Sequence, residues 1–364
     1  MTMQSRKLRM TGFALSAAFA GATLVGSTAF AQGDEASPGT GSEQVVERVE
    51  EGELCTPAAY AGTGVEIIDL AAATVGFAQS EREANPFRIA ETQSIKDEAA
   101  ARGINLITTN AESDLNKEIS DIKSMVDQGA NALIISPLNS EGLDEALEYA
   151  RDAGVPLMTI DRFLTSDVFC DTYIGWVGSD FVEQGRRAAH AMIEASGGEG
   201  NLAILLGAAG VNVTDDRNAG FKEVLEAEAA AGNHSIELVA EQTANYVREE
   251  GQTVTEQLIS ANPDINLIYA HNDEMALGAV AALKAFGKQP GDVKIITIDG
   301  TQGAVQGILD GWVSGVIESN PRFGPLAFDA LDAFYNGEGV AQVTIISDKE
   351  YTPENAEAEL PNAY

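Results

Sequence analysis

Two apolar runs in this sequence end on the same three residues. Residues 155–162 read VPLMTIDR and residues 293–300 read VKIITIDG, so Asp161 and Asp299 each follow a Thr-Ile pair at the end of a predicted strand. In open parallel sheets ligands are met beyond the carboxyl ends of strands, which makes both aspartates candidate ligand contacts. Either one alone would serve as a helix N-cap, accepting from free amide groups; two at matching positions favour ligand contact. Other strand ends and helix starts carry related groups. Gln79, Asn85, Phe87 and Arg88 follow the first predicted strand, Arg162 follows Asp161, and Arg217 opens a predicted helix. Tyr246 lies in a turn after a strand, and Asn272 ends another.

This set suits holding a polyhydroxylated ring. Carboxylates accept from paired hydroxyls, Arg and Asn donate to hydroxyl and ring oxygens, and aromatic faces cover the C–H side. Hydrogen bonds to charged groups are worth about 1.5–3 kcal/mol each. Three or four of them, net of ordering costs, reach micromolar affinity, about −8 kcal/mol.

Catalytic signatures are missing. Gly207-Ala208-Ala209-Gly210 follows a strand but lacks Gly-x-Gly-x-x-Gly spacing, and the sequence contains neither a phosphate-binding Gly-x-x-x-x-Gly-Lys-Ser/Thr nor a Gly-x-Ser-x-Gly elbow. His190, His234 and His271 are isolated, and neither cysteine sits in a Cys-x-x-Cys pair. No metal, no cofactor and no catalysis are therefore expected.

The elements that must position these residues follow a regular alternation. Short apolar strands at 74–77, 104–108, 132–136 and 156–160 alternate with helical patterns at 87–102, 114–128 and 142–153. A second series has strands at 202–206, 236–239, 267–270 and 294–298, with helices near 180–195, 216–231, 247–261 and 273–286. Continuous apolar strands such as Ala132-Leu133-Ile134-Ile135 suit a parallel sheet covered on both faces. The two series predict two α/β lobes with parallel sheets.

The 364 residues are enough for two such domains. A net charge of −34, from 56 acidic against 22 basic side chains, argues against nucleic acid or an anionic membrane surface as partner. Residues 1–31 read as a signal peptide: Arg6, Lys7 and Arg9 precede a small-residue apolar run from Gly12 to Gly26, and Ala29-Phe30-Ala31 supplies a cleavage pattern before Gln32. The expected mature protein is soluble and exported. Residues 32–70, rich in Gly, Glu, Ser and Pro, read as an acidic extension with little structure of its own. Cys55 and Cys170, in an oxidising compartment, are expected to pair and to fasten that extension to the first lobe. A bridge across 115 residues stabilises by roughly 4–5 kcal/mol on the loop-entropy model.

From TVGFAQSE at Thr74 and NPFRIAETQSIKDEA at Asn85, through ALIISPLNSEGL, PLMTIDR, DDRNAGF, YAHNDEMALGA and TIDG, to GPLAFDAL at Gly324, the sequence resembles the periplasmic sugar-binding proteins of ABC importers, the ribose/galactofuranose-binding family. The resemblance runs from about residue 73 to the C-terminus. It implies a type I periplasmic binding fold, two Rossmann-like lobes joined by a three-strand hinge, with 71–178 plus 319–352 in one lobe and 179–318 plus 353–364 in the other. Asn85, Phe87 and Arg88 match the family's first binding loop, and Asp161 and Arg162 its second. Arg217 matches a sugar-contacting arginine, Tyr246 a stacking aromatic, and Asn272 and Asp299 the second lobe's polar contacts. Gln79 and Glu318 are weaker correspondences. Arg88 stands where ribose binders have a second aromatic, which favours a furanose or another sugar over ribose.

The resulting expectation is a monomeric periplasmic solute-binding protein that closes on a monosaccharide and delivers it to an ABC permease. A chemotaxis or quorum-sensing receptor, and less readily an exported sugar-processing enzyme, are the alternatives.

Overall fold

The computed structural model describes residues 48–165 and 168–364; the expected signal peptide and the first part of the extension lie outside them. The chain begins with β1 (Arg48–Cys55) and continues through β2 (Thr74–Gln79), α1 (Pro86–Arg102), β3 (Asn105–Asn110), α2 (Leu115–Asp127), β4 (Ala132–Ser136), α3 (Asp144–Asp152), β5 (Leu157–Ile160) and β6 (Trp176–Gly178). It then runs through α4 (Phe181–Ser196), β7 (Glu199–Leu206), α5 (Asn212–Ala230), β8 (Ser235–Thr243), α6 (Arg248–Ala261), β9 (Leu267–Ala270), α7 (Asp273–Ala285), β10 (Lys294–Asp299), α8 (Gln302–Leu309) and β11 (Gly315–Glu318). The last elements are α9 (Gly324–Tyr335), β12 (Val340–Ile346), β13 (Glu350–Tyr351) and α10 (Ala356–Glu359).

These strands form two sheets, ordered β1-β12-β6-β5-β4-β2-β3 and β13-β11-β10-β9-β7-β8. Pairing is parallel throughout except at one edge of each, where β1 lies antiparallel to β12 and β13 antiparallel to β11. The chain is thus a two-lobed α/β protein, and it passes between the lobes three times, at 179–180, 319–323 and 347–349. Each lobe has apolar layers on both faces of its sheet. The continuous apolar strands are the sequence signature of that arrangement.

Local signals place the candidate site residues. Asn85 caps α1 by accepting from the Phe87 N–H at 2.9 Å, Pro86 takes the first helical position, and Gly103 ends the helix in the left-handed region at φ 71°. That cap puts Phe87 and Arg88 in the first turn, beside the end of β2. Gly-x-Gly spacing is absent after β7, but Gly207 has another use. A Cβ there would lie 2.0 Å from the Tyr246 ring, so only glycine lets the ring cross that strand end.

Three readings are adjusted by the fold. The extension does have regular structure from Arg48 onward, because its backbone completes the edge beside β12, with Arg48 opposite Ile346 and Cys55 opposite Val340. The third crossing ends before residue 352: Glu350 and Tyr351 already pair with β11, and the Tyr351 ring is wholly buried in the second core. Arg217 does not open its helix, since α5 starts at Asn212, where the first turn is too polar to show an apolar period.

Cys55 and Cys170 are bonded, with Cα atoms 5.2 Å apart. The bond ties the end of β1 to the 161–175 loop, and the Cys170 carbonyl accepts from the Ala61 N–H at 2.9 Å. Among the described residues no helix is long and apolar enough to cross a membrane. The Cys55→Ser variant is expected to lose about 2–5 kcal/mol of unfolding free energy, read from urea denaturation at constant m-value; coincident midpoints for variant and parent would show that the bond contributes nothing.

Candidate binding cavity between the lobes

The carboxyl ends of the two sheets face each other across a cavity whose empty space, open solvent at its rim included, is about 370 Å³. Asn85, Phe87, Arg88, Asp161 and Arg162 line it from the first lobe, and Arg217, Tyr246, Asn272 and Asp299 from the second. Glu81 and Val213 line it as well. Gln79 and Glu318 do not. Gln79 is buried behind the wall, donating to Glu91 at 2.8 Å and to Thr92 at 3.1 Å. Glu318 is turned into the hinge, where its two oxygens accept from the Lys349 N–H and the Tyr351 hydroxyl, both at 2.9 Å.

The first-lobe wall is an ion network closed on itself. Arg88, only 4% exposed, reaches Asp161 at 2.7 Å, Glu91 at 2.9 Å, Glu81 at 3.0 Å and the Ser136 hydroxyl at 3.0 Å. The other Glu81 oxygen takes Arg162 at 2.6 Å, and Arg162 also donates to the Pro137 carbonyl at 3.1 Å and to the Leu138 carbonyl. Glu81 therefore bridges both guanidiniums, which, against the cost of burial, hold its carboxyl down to about 2. Burial pushes Glu91 up toward its neutral form. The two guanidiniums are thus paired with the acids of Glu81, Glu91 and Asp161. Phe87 stands beside it, with ring contacts to Phe323 and Tyr364 at 6.3 and 6.2 Å.

The second-lobe wall is less self-satisfied. Arg217, 3% exposed, donates from Nε to Gln184 at 2.9 Å and from one terminal nitrogen to the His271 carbonyl at 2.6 Å, and no carboxylate among the described residues forms an ion pair with it. Burial, with Asp273 adding to it, pushes the Asp299 carboxyl well above the usual range. Asp273 itself accepts from Gly300, Thr301 and the Thr301 hydroxyl, yet burial still pushes it up to about 7. The Tyr246 hydroxyl is 2.7 Å from Thr214 Oγ1, and Asn272 caps α7 while donating to the Tyr246 carbonyl at 3.3 Å. His271 is buried and held neutral by that burial, with its Nδ1 accepting from the Gly207 N–H.

Neither paired aspartate caps a helix. Asp161 adopts φ 62° and Asp299 φ 144°; α8 is capped by Thr301, two residues on. Left-handed non-glycine residues of this kind cost of order 1–3 kcal/mol and cluster at functional sites. Trp176 fixes Asp161 by donating to its carbonyl at 3.0 Å, and Ser319 does the same for Asp299 at 2.8 Å.

Direct bonds also cross the cleft at its rim. The Ser140 N–H donates to the Gly210 carbonyl at 3.2 Å, Asn212 N–H to the Ser140 hydroxyl at 2.8 Å, and Phe163 N–H to Asn212 Oδ1 at 3.1 Å. Sequence reasoning missed Glu81, Val213, Ser140 and Asn212. Glu81 lies only two residues after Gln79, but one acid among 56 carries no distinguishing signal.

A family model described as a periplasmic binding protein domain matches residues 75–339. The chain is 34% identical over 268 residues to the ribose import binding protein of Bacillus subtilis, covering 73% of this chain and 83% of that one. It is 32% identical over 294 residues to the galactofuranose-binding protein of Escherichia coli, covering 79% and 90%. Among solved structures, the periplasmic binding component of the arabinose ABC transporter from Shewanella sp. ANA-3, bound to α- and β-L-arabinofuranose, superposes with a TM-score of 0.75 at 32% identity, covering 79% of this chain and 95% of that one.

Glu81 supplies a pH test of the first-lobe wall. Its folded carboxyl lies below its ordinary value of 4.5, at about 2, so it contributes stability above pH 4.5 that is lost as pH falls toward 2. Glu81→Gln is expected to remove at most about 3 kcal/mol at pH 7 and to flatten the acid limb of stability between pH 4.5 and 2, measured by chemical denaturation at stepped pH. An acid limb unchanged by the substitution would show that Glu81 does not bridge the two arginines.

Proposed function

The chain belongs to the periplasmic binding protein family, and on that premise we propose that it captures a neutral monosaccharide between its lobes and hands it to an ABC permease. The observation that carries this reading is the contrast between the two walls. The first lobe presents a pre-ordered array of paired charges, and the second presents Arg217 with no ion pair among the described residues and Asp299 as a raised, cavity-facing carboxyl. A sugar hydroxyl both donates and accepts, so it can bridge Asp299 or Asp161 and Arg217 without bringing charge into the cavity. An anionic ligand would meet the carboxyl groups of Glu81 and Asp161, which already pair with both first-lobe guanidiniums.

Arg88 supports a furanose or a similar sugar over ribose: where a second aromatic would cover a ring face, a guanidinium locked to Asp161 supplies polar contacts instead. The furanoses bound by the Shewanella protein point the same way. Because Asp161 and Asp299 come from different lobes, a ligand touching both stabilises the closed arrangement selectively, which is how binding energy shifts a two-state equilibrium.

The three histidines stand away from the cavity lining. His190 is exposed on α4, His234 is bound to the Leu225 carbonyl, and His271 lies behind the wall, so no imidazole faces a bound ring. A disulfide agrees with export to an oxidising compartment.

Isothermal titration with L-arabinose, D-galactose, D-fucose, D-fructose and ribose is expected to give micromolar or tighter binding for at least one sugar, with ribose not the best. Arg217→Ala should weaken that binding by roughly 10- to 100-fold, the worth of one charged hydrogen bond. Silence across the panel, or tighter binding of the corresponding sugar acids, would overturn the reading.

A further inference from the structure

Arg217 stands at one end of a buried hydrogen-bond relay whose other end is the hinge. Its Nε donates to Gln184 Oε1 at 2.9 Å, and Gln184 Nε2 donates onward to Asp348 Oδ2 at 2.7 Å and to the Glu318 carbonyl at 3.3 Å. Gln184 lies on α4 and is 1% exposed, so its amide has no water to fall back on. Asp348 sits in the third crossing. Its Oδ1 accepts from the Ser179 hydroxyl of the first crossing at 3.1 Å and from the Asn320 N–H of the second at 2.9 Å. One carboxylate therefore touches all three crossings and, through a single amide, the cavity. Arg187 holds the backbone of the same turn by donating to the Asp348 and Lys349 carbonyls at 3.0 and 2.8 Å.

The polarity of this relay is dictated at both ends. Arginine only donates, so Gln184 must turn its oxygen to Arg217 and its nitrogen to residue 348. Three donors then converge on residue 348, and only an ionised carboxylate accepts from all three. Among the side chains of similar length, an amide at 184 and a carboxylate at 348 are the pair that satisfies every group.

We propose that Gln184 and Asp348 are positioning residues for the cavity: they aim Arg217 at the ligand and tie its position to the three crossings that must flex when the lobes move. The affinity part of this inference rests on the sugar-binding reading; the placement of Arg217 does not. Lobe movement and ligand contact then share one bonded chain, so a ligand pulling on Arg217 acts on the hinge.

The relay can be inverted. In D348N an amide faces three donors and leaves one of them unmatched, or forces Gln184 to flip and present N–H to Arg217. In Q184E two carboxylates meet at hydrogen-bond distance. In the double variant Q184E/D348N, the carboxylate at 184 accepts from Arg217 and from the new amide, whose oxygen accepts from Ser179 and Asn320, and only the 3.3 Å bond to the Glu318 carbonyl is lost. The test uses the full chain with two readouts: solvent exchange of the Arg217 Nε–H by ¹H–¹⁵N spectroscopy without sugar, and the Kd for L-arabinose by calorimetry. Each single variant is expected to speed exchange and to raise Kd about tenfold, the loss of one charged hydrogen bond, while the double variant returns both to within about threefold of the parent. Native exchange in folded D348N overturns the inference, as does a double variant that is no better than the singles or fails to fold. If the parent binds no sugar, the exchange measurement alone decides, and the sugar-binding reading falls separately.

Discussion

The structure turns on the need of a buried guanidinium for partners. Arg88 is almost without solvent at the first turn of α1, and it is tolerable there because Glu81, Glu91, Asp161 and Ser136 surround it. Those groups come from four places: the loop after β2, α1 itself, and the ends of β5 and β4. Removing one member of a buried pair leaves an uncompensated charge, which costs about 3–5 kcal/mol. The wall that faces the cavity is therefore held in one arrangement by charge satisfaction before any ligand arrives. Glu81 extends the same constraint to Arg162, and the backbone carbonyls of Pro137 and Leu138 extend it to the end of β4.

Against this fixed wall the second lobe offers groups whose valences are not all filled. Arg217 has backbone and amide acceptors but no ion pair among the described residues, and Asp299 carries the cost of burial beside Asp273. Such asymmetry suits a device that must close on something. One face is pre-organised, which lowers the ordering cost of binding. The other gains most when a donor–acceptor ring fills the gap. The direct bonds from Asn212 N–H to the Ser140 hydroxyl and from Phe163 N–H to Asn212 Oδ1 join the two lobes at the rim without the ligand.

The hinge has its own economy of partners. Glu318 and Asp348, both acids, satisfy backbone N–H groups and hydroxyls of the crossings in place of solvent. The disulfide fastens a different place, the loop that starts with Asp161 and Arg162, to the strand added by the extension. Fold closure and site geometry are thus secured by separate contacts.

Much of the architecture was legible in the sequence because it depends on periodicity. Apolar runs of strand length between amphipathic stretches require two covered parallel sheets, and the repeated Thr-Ile-Asp placed one carboxyl at the end of each. Strands β1, β6 and β13 escaped notice, since a strand of two or three residues, or one in polar company, has no period to read. Residue type identified Arg88, Asp161, Arg217 and Asp299 as groups able to hold a ligand, because few basic side chains occur here and strand ends are where ligands are met. It could not separate Gln79 and Glu318 from them, nor single out Glu81, Gln184 or Asp348 among so many polar residues. Those assignments depend on which way each side chain turns and on partners between 12 and 169 positions away. Sequence alone determined which chemistry was present and near which strand ends; only the packing of two lobes decided which groups face the cavity and which are spent holding them there, because hydrogen-bond partnership is a property of positions in space.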